Sequence, residues 1–221
     1  MDKKKQFAVL GLGRFGQSAA ATLEKMGYEV LGVDMDEHVV RNMAGVLSHV
    51  VSFDIRDANA LDQIGIANFD TVIITSKNLE ASLMATMLCS ERNVGEIVVK
   101  AIDERHAEMS KRLGATKIVF SERDMARRTA MQLASLKVTD YMDIDASIQI
   151  LAFDVPPKLM GQNLLESNLR SEYNVNVVAI ISNGETMITP PPRYVFSDGD
   201  KVYIIGSYEA LSRFEQEVIE D

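Results

Sequence analysis

The chain is predicted to be an α/β protein: a doubly wound parallel sheet followed by a small α+β module. Three observations carry that prediction. Residues 1–138 alternate short apolar runs with helix-forming runs, and repeated βα units of this spacing imply right-handed crossovers over a sheet covered on both faces. The first apolar run, Phe7–Leu10, tips directly into G-x-G-x-x-G at Gly11, Gly13 and Gly16, which is the strand, glycine turn and helix order of a phosphate-binding unit. From residue 139 to 221 the pattern changes to strands joined by turns, and Asn183–Gly184 is a two-residue hairpin signal.

The elements follow in order. Phe7, Val9 and Leu10 give a buried strand, and Phe15–Met26 a helix with Ala19, Leu23 and Met26 on one face. Glu29–Val33 is the second strand. A helix near Glu37–Val46, a strand at Val50–Phe53 and a short helix at Ala58–Ile64 come next. Thr71–Thr75 is β-branched and reads as a buried strand. Asn78–Arg92 is a helix and Ile97–Lys100 a strand. Asp103–Leu113 is a helix stopped by Gly114, where a left-handed residue ends a helix without strain. Ile118–Phe120 is a sixth strand and Glu122–Leu136 the closing helix. In the second region Gln149–Val155 alternates as a strand, Pro156–Pro157 breaks it, and Asn163 caps a short helix ending near Arg170. Val175–Ile181, Thr186–Thr189 and Lys201–Ile205 are strands, and Ser207 begins a last helix with Leu211, Phe214 and Val218 on one face.

The loop at 11–16 carries the chemistry. Gly11 permits the tight turn, Gly13 lets backbone N–H groups approach a pyrophosphate, and Gly16 lets helix and strand pack closely. Leu12, Arg14 and Phe15 complete it. The helix N-terminus adds unpaired donors and a positive dipole end, which favour anionic phosphates. The acid expected about 20 residues on, for the adenosine ribose hydroxyls, is Asp34. Together these define a Rossmann-like adenine-nucleotide unit. A 2′-phosphate would meet Asp34 with like charge, so NADP is disfavoured against NAD(H), ATP and ADP. Arg14 has two readings: a forked guanidinium in reach of a terminal phosphate, or a solvated loop arginine. Ligands lie at the carboxyl ends of such strands. The loop, Asp34, the Ser52–Asp54 stretch with Asp54, and the Thr75–Asn78 loop with Ser76 and Asn78 are therefore expected around one crevice.

Composition narrows the partners. The 221 residues carry a formal net charge of −9, which argues against nucleic acid, whose binding needs a basic stripe, and against anionic lipid. No apolar stretch approaches the roughly 18 residues of a spanning helix, so direct membrane insertion is not expected. MDKKK runs into the first strand without the apolar region of a signal peptide. A single cysteine, Cys89, excludes an internal disulfide framework and fits the cytoplasm. Its neighbours Leu83, Met84, Met87 and Leu88 mark it as core.

Catalytic chemistry is sparse, and no enzyme is expected. None of the six tyrosines has a lysine four residues downstream, so the Tyr-x-x-x-Lys pair of short-chain dehydrogenases is missing. His38, His49 and His106 lack metal-chelating spacing and read as structural or solvated. The P-loop pattern is absent too. The nucleotide reads as a signal rather than a reagent; a small NAD-dependent oxidoreductase is the alternative.

GLGRFG at 11–16, the D-M-D at Asp34–Asp36, A-N-A-L-D-Q-I-G-I at 58–66, S-E-R-D-M-A at 121–126 and the β-rich second module together resemble one family. It is the cytosolic regulatory subunit of Ktr/Trk-type potassium uptake systems, with N- and C-terminal RCK (regulator of potassium conductance) domains. The resemblance covers the whole chain. It implies a homo-oligomer, dimers assembling into a ring that is octameric in the Ktr systems. The ring would dock on a membrane potassium-transporting subunit at the inner face of the plasma membrane and respond to adenine nucleotides. It implies that Arg14 reaches ATP phosphates, including those bound in the adjacent subunit. It implies that Glu122 takes part in a divalent-cation site (Mg or Ca) between paired subunits. The residues alone leave Glu122 open, since Ser121-x-x-Asp124 also reads as a capping box. For the second module it implies a cyclic di-AMP site, with Arg170 facing a phosphate, Asn176 an adenine edge, and Leu164, Val177 and Pro190 an apolar rim.

Overall fold

Six parallel strands build the first sheet: β1 (Gln6–Leu10), β2 (Glu29–Asp34), β3 (His49–Ser52), β4 (Thr71–Ile74), β5 (Glu96–Lys100) and β6 (Lys117–Val119). Their order is β3–β2–β1–β4–β5–β6, so the winding reverses between β1 and β4. The computed structural model describes residues 4–134, 138–145 and 147–219. They form two units, Met1–Glu122 and Arg123–Asp221. That division falls ahead of the 138/139 boundary read from the sequence, so most of the closing helix counts with the second unit.

The two-residue period of the strands fills both faces of the parallel sheet. Ala8, Leu10, Val33, Val72 and Ile74 pack with Leu61, Ala85 and Leu88 on one side; Val9 and Val30 pack with Leu12, Ala20 and Met43 on the other. The covering helices are α1 (Arg14–Lys25), α2 (Glu37–Met43), α3 (Ala58–Gln63), α4 (Leu79–Glu91) and α5 (Glu104–Arg112). Leu10, Leu61 and Ile74 are wholly buried, and trimming such a residue to alanine costs about 2–5 kcal/mol. Four of these helices start in the same way. Asp36, Asp57, Asn78 and Asp103 each accept a backbone N–H of the first turn into a side-chain oxygen.

His106 on α5 is structural. Its Nδ1 accepts the Ile102 N–H at 3.1 Å and its Nε2 lies 3.0 Å from Ser82 Oγ on α4, with 1% of the residue exposed. Burial lowers its pKa from the ordinary value. The unfolded chain therefore takes up this proton first. The contribution of neutral His106 is complete above about pH 6.5 and is lost as pH falls below it. Urea midpoints should drop between pH 7.5 and 5.5, and His106→Asn should remove that part of the drop. Equal drops in both proteins would assign the pH dependence to other groups.

In the second unit β7 (Val138–Asp143), β8 (Ile148–Asp154), β9 (Asn176–Ser182), β10 (Glu185–Ile188) and β11 (Lys201–Ser207) form an antiparallel sheet of order β10–β9–β11–β8–β7. Helix α6 (Ser121–Ala134) leads into it. Helices α7 (Leu169–Tyr173) and α8 (Tyr208–Phe214) pack against Phe153, Ile180, Val202 and Ile204. Phe214 sits at the centre, 5.2 Å from the Phe153 ring and 5.4 Å from that of Tyr173. The predicted hairpin is present: Ser182 pairs with Glu185, and Asn183 and Gly184 have φ of 50° and 82°, the left-handed pair of a type I′ turn.

Two elements depart from the sequence reading. Strand β7 was not expected, because its pairing with β8 shifts register between Val138 and Asp140, and a bulge erases the alternation that marks a strand. Asn163 does accept N–H bonds, from Leu165 and Glu166, yet it closes a turn rather than opening a helix. The helix begins only at Leu169, after Asn168 takes φ of 51°. The expected helix end at Leu136 lies outside the described residues. No helix among the described residues is long and apolar enough to cross a membrane.

Candidate functional site

At the reversal between β1 and β4 the carboxyl ends of the strands open into a cleft of about 780 Å³, where open α/β sheets take their ligands. Gly11 turns the chain at φ 98°. Its N–H donates to the Val33 carbonyl at 2.8 Å and its carbonyl accepts from Thr75 Oγ1 at 2.6 Å, tying the loop to its neighbours on both sides. Gly16 answers to packing: a Cβ there would stand 2.1 Å from the Gly11 carbonyl oxygen. Gly13 is the opposite case, for a Cβ there would meet nothing within 4 Å. It is the N-cap of α1, and no side chain bonds to that helix start. While α2 to α5 have their first amides capped, those of α1 face the cleft uncapped. An anion is what such an end attracts.

Asp34 ends β2 at the edge of the cleft. Its Oδ2 accepts the Leu12 N–H at 2.6 Å and its Oδ1 the Asp36 N–H at 3.0 Å, so two backbone donors fix the carboxylate. Leu12 itself corrects the sequence reading. Its side chain is wholly buried with Val9, Ala20, Met43 and Leu47, and its N–H is committed to Asp34. It shapes the loop and does not line the cleft.

The remaining predicted residues of the first unit do line it. Arg14 opens α1 with an exposed side chain, and Phe15 and Gly16 follow it. Asp54 enters already engaged. It accepts from the Arg56 backbone N–H at 3.0 Å, from Nε at 3.1 Å and from a terminal guanidinium nitrogen at 2.6 Å, and these bonds hold its carboxyl below the usual range. Arg56 also reaches Glu80 at 3.4 Å. Ser76 Oγ accepts the Asn78 N–H at 3.2 Å, and Asn78 Oδ1 accepts from the Ala81 N–H at 2.9 Å, starting α4.

The far end of the cleft is closed by a residue that sequence reasoning missed. Lys100, the last residue of β5, is 5% exposed. Its Nζ donates to Glu122 Oε1 at 2.6 Å and lies 5.9 Å from the centroid of the Phe15 ring. Glu122, in the first turn of α6, also accepts from Ser121 Oγ at 2.6 Å. Lys100 first, then Ser121, hold the Glu122 carboxyl at about 2. Within one chain the predicted cation ligand is thus paired with a lysine. Among the described residues no group of three His, Cys, Asp or Glu converges on a metal position. Thr75 and Lys77 fall in the Thr75–Asn78 loop expected here, whereas Arg56 was missed as well. The available signal for Lys100 was its place at the carboxyl end of an apolar strand, since lysine is almost never buried without a partner.

Cys89 is wholly buried, and burial pushes its thiol up to about 12. It stays protonated at neutral pH and is core, as expected. In the second unit, Arg170 on α7 and Asn176 at the start of β9 are exposed on either side of the left-handed Asn174, and Val177 is half-buried. Pro190 is buried and follows Thr189, whose N–H donates to the Val178 carbonyl at 3.1 Å. Pro190 therefore lies alongside the start of β9.

Fold and cleft together define a two-unit protein of the Rossmann type. The chain belongs to the TrkA family of Ktr/Trk potassium uptake proteins: residues 7–121 match the TrkA-N domain and residues 148–218 the TrkA-C domain. It is 37% identical over 217 residues to the Ktr system potassium uptake protein C of Bacillus subtilis (strain 168), covering 98% of each chain. To the Ktr system potassium uptake protein A of the same organism it is 34% identical, covering 97% of each. The GsuK channel bound to NAD shares the fold at a TM-score of 0.55 and 22% identity. That match covers 99% of this chain but spans 39% of the channel chain.

Proposed function

We propose that this chain is a cytoplasmic regulatory subunit that senses nucleotides and gates potassium transport by a membrane subunit of the Ktr/Trk type. The observation that carries the reading is the cleft at the sheet reversal, with uncapped α1 amides behind an open Gly13 and a fixed acid at Asp34. Relatives named as potassium uptake proteins, matched over nearly their whole length, support the transport side. The NAD of the GsuK channel supports a dinucleotide as one ligand.

In this reading ATP, ADP and NAD(H) compete for one cleft, with the ribose at Asp34 and the first phosphates over Gly13. NADP binds far more weakly. The nucleotides act as signals, and no reaction is assigned to the chain. Dimers assemble into an octameric ring. Glu122 joins a divalent-cation site (Mg or Ca) between paired subunits when ATP is bound. Cyclic di-AMP is a second ligand, held by Arg170, Asn176, Val177 and Pro190 of paired second units.

A regulator must turn ligand identity into shape, so ATP and ADP need different affinities for two conformations. They share adenosine and the first two phosphates, which neither Asp34 nor the glycine loop can tell apart. Arg14, the cation of the loop, can. Arg14→Ala is expected to leave ADP binding nearly intact and to weaken ATP by about tenfold or more, the loss of one charge-assisted hydrogen bond. Calorimetry with each nucleotide, and potassium flux reconstituted with the membrane partner, provide the check. An Arg14→Ala protein that still activates with ATP over ADP as the wild type does places the switch elsewhere. Sustained NADH production from a panel of alcohols and hydroxy acids would favour the oxidoreductase instead.

A further inference from the structure

We propose that Lys100 is a second cation of the cleft that, beside Arg14, reads the terminal phosphate, with Glu122 as its resting counter-ion, so that a distal phosphate takes the place of Glu122 on the ammonium. The proposal rests on the nucleotide reading above and deepens it.

The sheet order sets the direction. Asp34 ends β2 and Lys100 ends β5, three strand positions apart across β1 and β4. At about 4.8 Å per spacing that is about 14 Å, and the glycine loop lies between the two ends. A nucleotide with its ribose at Asp34 and its first phosphates over Gly13 therefore aims its far end at Lys100.

The two partners are unequal. The Lys100 side chain is 7% exposed, that of Glu122 is 72% exposed. Lys100 is held by its buried stem and by the Phe15 ring beneath its ammonium. A buried cation is costly without a compensating anion, and Glu122 supplies one. Glu122 can swing into water at little cost, whereas Lys100 cannot. An ammonium has three donors, and Glu122 is the one hydrogen-bond partner of Nζ among the described residues. A phosphate arriving from the cleft side exchanges one anion for another around a fixed charge, and the released carboxylate is then free for other contacts. A ligand whose distal end carries no phosphate, such as NAD, leaves the pair in place.

The test is calorimetry in EDTA, so that no divalent cation takes part, with ATP, ADP and AMP. The proteins are the wild type, Lys100→Met, Glu122→Gln and the double variant. Lys100→Met keeps the apolar stem, and thermal unfolding checks that it folds; Glu122→Gln alters an exposed residue and gives an independent readout. ATP affinity should fall about tenfold or more in Lys100→Met, one lost charge-assisted bond, while AMP is hardly changed. Glu122→Gln should tighten ATP several-fold in the presence of Lys100, and that gain should vanish in the double variant. Equal weakening of ATP, ADP and AMP by Lys100→Met would make the lysine merely structural and overturn the proposal. So would a Glu122→Gln gain of the same size in both backgrounds, which is simple repulsion. A wild type that binds none of the three nucleotides overturns the functional reading itself and this proposal with it.

Discussion

Gly16→Val is expected to unfold the parallel-sheet unit. A Cβ at this position would sit 2.1 Å from the Gly11 carbonyl oxygen and 2.8 Å from Thr75 Oγ1. Neither obstacle can retreat. The Gly11 carbonyl is held by the Thr75 hydroxyl, and the Gly11 N–H by the Val33 carbonyl, so moving the loop breaks its ties to two strands of the sheet. Overpacking a core usually costs about 1–3 kcal/mol. Here the contact is with backbone, and α1 would have to lift away, taking Ala20 out of the core it shares with Val9 and Val30. That loss approaches the total stability of about 5–15 kcal/mol of an ordinary domain. Urea unfolding followed by circular dichroism is the check. A Gly16→Val protein with the wild-type midpoint would mean that α1 does not press on the loop.

The contrast between glycines shows what a motif conveys and what it leaves out. Strand, glycine turn, helix and acid were legible because each is local: apolar runs of four or five residues, a G-x-G-x-x-G, and an aspartate at the next strand end. The winding of the sheet followed from βα repetition. The turn at Asn183–Gly184 followed from backbone freedom that few residues have. Leu12 was misjudged because membership of the loop does not say which way a side chain faces, and a leucine beside a β-strand is drawn into the core. Strand β7 escaped because its bulge breaks the two-residue period. Lys100 escaped for a different reason: its role depends on Glu122, a partner distant in sequence, and no local pattern announces that pairing. Arg56 reads as an exposed charge until its four bonds to Asp54 are seen.

Gly13→Thr is expected to abolish binding of ATP, ADP and NADH together while leaving stability close to that of the wild type. Gly13 has φ of −66°, a conformation open to any residue, and a Cβ there meets nothing within 4 Å. It is the N-cap of α1, where threonine and glycine serve about equally well, so the helix loses little. The ligand loses the approach. A β-branched side chain fills the space through which phosphates would reach the first amides of α1, and its hydroxyl competes for those same donors. Two charge-assisted bonds at about 1.5–3 kcal/mol each correspond to a fall in affinity of roughly a hundred- to ten-thousand-fold. Asp34 would remain in place on its two backbone donors, yet a ribose contact alone cannot recover that deficit. Calorimetry on the variant, beside a urea midpoint to show that it is folded, decides the matter. If folded Gly13→Thr binds the three nucleotides as the wild type does, their phosphates do not lie over this loop. The adenine-nucleotide site must then be sought away from the reversal of the sheet.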